Sequence, residues 1–301
     1  MEDNSTDISS RLFTFKPDSY FDRTRRPVYA ITYLLGFLVF YELGLILIRS
    51  QIITLSAKNV RVVSFAWIQN ILVQYLNFTP AATWFITPLV VILILLALQI
   101  TSKTKWKVYF KDFVPMTIEC ILLALPLIVL SLAINRTSAP QPENTSLANS
   151  MQAIICSSGD ACDWLASGIN SIENQSANLF ARIITGIGAG IYEEFIFRLI
   201  LICIFMMILQ DLLNVKPISA IVISVMASAV LFSLHHHIFY MDGVIQIGES
   251  FSLVRFLFRT LAGIYFAAIF ASRGFAIAAG THIFYDIIAA LTNVLIFPPS
   301  A

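Results

Sequence analysis

The amino-acid sequence predicts an all-α fold, a polytopic transmembrane helix bundle of about seven or eight spans. Three observations predict it. Hydrophobic residues make up 58% of the 301 and charged residues only 12%, whereas a soluble domain carries about 25% charged residues. Mean hydropathy is +0.81, so the chain cannot cover a water-facing surface. Apolar runs of about 20 residues, the length needed to cross a bilayer, recur along it. The net charge of +1 comes with no basic patch interleaved with aromatics, so no nucleic-acid partner is expected.

Residues 1–27 are polar and mixed in charge, a tail expected on the cytoplasmic side. They lack an apolar h-region and a small-residue cleavage site, so no signal peptide is expected and the first span serves as the insertion signal. Spans are predicted at 28–49, 84–101, 113–134, 179–213, 217–239, 252–272 and 275–297. The fourth is too long for one straight crossing. It either begins as an interfacial turn around Arg182 or bends near the glycines of GIGAG, 186–190.

The segment 62–78 is interrupted by Gln69, Asn70, Gln74 and Asn77, and charge bias decides how to place it. Arg23, Arg25 and Arg26 flank the first span, and Lys103, Lys105, Lys107 and Lys111 fill the loop 102–112. Both should be cytoplasmic by the positive-inside rule. An even number of spans then separates them, which 28–49 and 84–101 already supply, so 62–78 is expected along the interface within a 28–135 helical region. The same logic makes 136–178 an extracytoplasmic loop, rich in Ser, Asn and Pro, with glycosylation sequons at Asn144 and Asn174. Cys156 and Cys162 lie in it and could pair in an oxidising compartment. Cys120 and Cys203 fall in apolar spans and read as small core residues. The chain is expected in the plasma (inner) membrane with its N-terminus cytoplasmic.

Charge at bilayer depth costs at least a few kcal/mol, so polar residues left inside the spans mark function by default. Three clusters remain, all in the C-terminal half: Glu193, Glu194 and Arg198; His235, His236 and His237; His282 with Asp286. Glu42 and Glu119 read as packing or span-end residues, and Arg182, Arg255 and Arg259 as side chains that snorkel to water. On a helix, residues four apart lie about 40° apart and their side chains meet. Glu194 and Arg198 have that spacing, so Arg198 neutralises Glu194. Glu193 points about 100° away and has Phe197 at its own i+4 position. Left without a local partner, Glu193 is the candidate general base or acid. His282 and Asp286 are again i and i+4: the carboxylate can fix the imidazole tautomer, or both can face one substrate or metal. Periodicity cannot choose among the three consecutive histidines.

EEFIFR resembles the EExxxR motif of the CPBP family, which joins CAAX prenyl proteases to bacteriocin-processing enzymes. FSLHH, Phe232 to His236, fits the family's FxxxH motif, and THIFYD supplies a histidine followed four residues later by Asn or Asp. The resemblance covers roughly 179–297. It implies an intramembrane endopeptidase in which Glu193 activates water, Glu194 and Arg198 support it, and His236 and His282 are the catalytic histidines. Its substrate would be a membrane-associated protein or peptide precursor. Asp286 stands where CAAX prenyl proteases carry Asn. An Asn amide can donate to a developing oxyanion and an ionised Asp cannot, so Asp286 either stays protonated or orients His282. Glu193, His236 and His282 are also a plausible zinc set. The family has been described as both metal-dependent and glutamic-type; no obligatory cofactor is expected, and zinc is the ion such a set would take. Two other classes fit an intramembrane charge cluster: an ion-coupled transporter, which lacks the expected inverted repeat here, and a non-catalytic immunity or binding protein on the same fold.

Overall fold

In the computed structural model, the structure describes residues 15–51, 62–138, 179–241, 244–247 and 250–296. The loop expected at 136–178, with Cys156, Cys162 and both sequons, therefore lies almost wholly outside the described residues. A one-turn helix α1 (Tyr20–Thr24) precedes α2 (Pro27–Gln51), α3 (Val63–Gln74), α4 (Pro80–Thr101) and α5 (Phe113–Ser138). Then follow α6 (Leu179–Leu212) and α7 (Pro217–Leu234), a hairpin of β1 (Ile238–Met241) and β2 (Val244–Ile247), α8 (Leu253–Arg273) and α9 (Phe275–Ile296). Seven of these helices, all but α1 and α3, are long and apolar enough to cross a membrane. The protein is an integral, multi-pass helical bundle.

Local chemistry sets the ends. Thr79 caps α4, accepting from the Ala82 N–H at 3.3 Å, and Pro80 occupies the first turn, where its missing N–H costs nothing. Gly274 separates α8 from α9 with φ of 82°, a left-handed conformation that suits glycine at a helix end. At 12 residues, α3 is about 18 Å long and cannot span. It buries Phe65, Ile68 and Leu72 and packs against α4 and β1. The predicted span at 217–239 stops at Leu234, because the three histidines turn the chain into the hairpin.

The bundle is centred on α9, which packs against α2, α5, α6 and α8. In its most apolar stretch 56% of residues are buried, against 22–33% in the other six spans. α6 is helical through the glycines of GIGAG and is not broken there. They serve close approach: a Cβ at Gly190 would lie 2.5 Å from Ile283 Cγ1 and 2.7 Å from the Ile283 backbone nitrogen. The helix widens further on, into π-helical turns at Phe195–Leu201 and Ile208–Leu212.

Ion pairs close the end of the bundle that carries the N-terminal flank. Glu119 pairs with Arg273, with Nη2 to Oε2 at 2.9 Å, and accepts from the Tyr20 hydroxyl at 2.7 Å. Asp112 accepts from Arg23 at 2.9 Å and from the Tyr29 hydroxyl at 2.8 Å. Cys120 is buried as expected, but Cys203 is exposed on the outside of the bundle. In a bilayer an apolar setting does not imply a core position.

Candidate active site

Packing of α6 against α9 brings two of the polar clusters together, and the turn after α7 delivers the third. Glu194 and Arg198 are both fully buried, with Arg198 Nε 3.1 Å from Glu194 Oε2. The guanidinium also sits over the Phe232 ring at 4.3 Å and the Phe266 ring at 5.6 Å, where aromatic faces offset part of its lost hydration. The other oxygen of Glu194 accepts from His282 Nδ1 at 2.9 Å. Glu194 thus joins Arg198 of its own helix to His282 of α9.

The tautomer of His282 follows. With Glu194 accepting, Nδ1 is the donor and Nε2 faces Asp286 Oδ2 at 3.6 Å. What orients the ring is therefore Glu194, with Phe266 stacked on it at 4.5 Å. Asp286 stands beyond ordinary hydrogen-bond distance.

Glu193 is 5% exposed and does not stand alone: His235 Nε2 lies 3.5 Å from its Oε1. This partner is not local in sequence, which is why helical spacing missed it. Glu193, His236, His282 and Asp286 line one cavity of about 310 Å³. Its walls also include Ser131 of α5, Tyr285 of α9, and Arg255 and Arg259 of α8. The two arginines, read from the sequence as snorkelling residues, face the same cavity as the carboxylates. Among the described residues, Glu193, His235 and His236 have potential metal-ligating atoms within 4.8 Å of one another.

Fold and site together define a multi-pass membrane protein with a buried set of carboxylates and imidazoles open to one cavity. Residues 175–288 match the family described as Rce1-like, type II CAAX prenyl endopeptidase Rce1-like. The match falls on the C-terminal segment, which holds all three motifs, and makes that segment similar to this family. No curated protein and no solved structure matches the chain.

Proposed function

We propose that the chain is an intramembrane endopeptidase that hydrolyses a peptide bond of a membrane-associated precursor by direct attack of water activated by Glu193. The observation that carries this reading is convergence: Glu193, His236, His282 and Asp286, from separate segments, face one cavity. Glu193 is the base that takes a proton from the attacking water. The proton taken by Glu193 passes to the leaving amine as the C–N bond breaks, while His236 and His282, the latter oriented by Glu194, stabilise the charge that develops on the substrate oxygen. Arg198 pairs with Glu194, so the support is electrostatic, and the reading invokes no obligatory metal. Asp286 Oδ2 stands 3.6 Å from His282 Nε2 and has no amide N–H to donate. This difference from the Asn-bearing enzymes favours a substrate other than a prenylated C-terminus.

Purified protein reconstituted with a tagged membrane-anchored precursor tests the reading. Glu193→Ala, His236→Ala and His282→Ala are each expected to lower cleavage by about 10²–10⁴-fold while the protein still inserts. Cleavage retained in Glu193→Ala would overturn it. Ion flux through proteoliposomes that depends on Glu193 would favour the transporter class instead.

A further inference from the structure

His235 matches no motif position, yet it is 3% exposed and its ring is held on both sides. Its Nδ1 lies 2.5 Å from the Phe232 carbonyl oxygen. A carbonyl can only accept, so Nδ1 carries the proton and the neutral ring presents a lone pair at Nε2. That nitrogen is buried, has no hydrogen-bond partner, and lies 3.5 Å from Glu193 Oε1. Two acceptors therefore face each other at a buried contact. A positive species has to sit between them, either a proton or a metal ion.

We propose that Glu193, His235 and His236 form a binding site for a divalent transition-metal ion of the zinc class. An Nδ1–H bonded to a backbone carbonyl is the arrangement that fixes the tautomer and directs Nε2 toward a metal. His236 supplies the third donor: its ring centroid lies 4.1 Å from that of His235, and the three residues' ligand atoms fall within 4.8 Å of one another. Ligands around a tetrahedral zinc with bonds of about 2.0–2.1 Å lie about 3.3 Å apart, so small side-chain rotations close the set. Phe197 at 4.8 Å and Trp67 at 5.8 Å wall His235 with apolar rings. Glu193 and His236 also line the cavity, which gives the ion a path in and leaves the fourth position facing it. This set differs from Glu193, His236 and His282, because among the described residues it is His235, not His282, whose ligand atom falls within 4.8 Å of those of Glu193 and His236. The site goes beyond the proposed hydrolysis. A Glu193 bound to metal is not a free base, so zinc occupancy should lower cleavage.

The test measures binding apart from cleavage. Full-length protein in detergent micelles, stripped with a chelator, is titrated with zinc by calorimetry, and its thermal unfolding is followed with and without zinc. The expected result is one zinc per chain, with a zinc-dependent rise in unfolding temperature. His235→Ala and His236→Ala should each weaken binding at least 10-fold, and His282→Ala less than 3-fold. If His235→Ala does not yield monodisperse protein, Glu193→Gln and His236→Ala carry the comparison. The proposal is overturned if the wild type binds no more zinc than the Glu193→Gln, His236→Ala double variant, or if His282→Ala abolishes binding that His235→Ala leaves intact. Protein that binds zinc as expected but cleaves nothing refutes the hydrolase reading and leaves this one standing.

Discussion

Arg198 shows what a single residue contributes to this site. It is fully buried, pairs with Glu194 within its own helix and rests on Phe232 and Phe266. Removing one member of a buried ion pair leaves the other charge uncompensated, a cost of about 3–5 kcal/mol. Arg198→Met is therefore expected to destabilise the protein by about that amount, read as a lower midpoint in a mixed-micelle denaturation series. The paired variant Arg198→Met, Glu194→Leu should recover most of the loss in stability, because no charge is then left behind, while cleavage stays low. Part of this was legible from spacing alone, since i and i+4 place Glu194 beside Arg198 wherever the helix goes. The second bond of Glu194, to His282, was not legible. Nothing in a helix wheel says which neighbouring helix will face it.

At the scale of elements, the site depends on how closely α6 and α9 approach. Gly190 sets that distance: an added Cβ would meet the Ile283 backbone nitrogen at 2.7 Å, and a main-chain atom cannot rotate away. Gly190→Leu should push the helices apart, destabilise the bundle by about 1–3 kcal/mol or more, and abolish cleavage by separating Glu194 from His282. Gly36 is the control, since a Cβ there meets nothing within 4 Å. Gly36→Ala should leave both stability and cleavage within error. An equal effect of the two substitutions would show that close packing of these helices is not what assembles the site. From the sequence the glycines of 186–190 are one of two places where the long span could depart from a straight crossing; in the structure they allow close contact. Both uses need a small residue, and only the neighbouring helix separates them.

For the whole molecule, helix direction decides which face the cavity occupies. The Arg23–Asp112 pair and the approach of Gly274 to Arg25 put the start of α5 and the end of α8 beside the N-terminal flank. The cavity is lined instead by Ser131, late in α5, by Arg255 and Arg259, early in α8, and by His236, just past α7. It lies toward the opposite end of the bundle. If the basic flank is cytoplasmic, as charge bias indicates, the cavity faces the extracytoplasmic side. On a cysteine-free background, a membrane-impermeant maleimide applied from outside should label Leu253→Cys and not Lys103→Cys. The reverse pattern would turn the protein over and place the cavity toward the cytoplasm.

What the sequence determined by itself was the class and the inventory. Composition demanded a membrane bundle, run lengths located seven spans, and helical spacing joined Glu194 to Arg198. The ordered motifs named Glu193, His236, His282 and Asp286 as the residues that converge. Tertiary structure alone decided that His235 turns toward Glu193, that Glu194 holds His282, that Arg255 and Arg259 face the cavity, and that Cys203 does not face the core. The physical reason is common to all four. In water, polarity marks the outer face of a helix, so its rotation can be read from the pattern. In lipid, the tails are as apolar as a protein core, and the pattern no longer distinguishes inside from outside. Contacts within one helix survive that loss of information; contacts between helices do not.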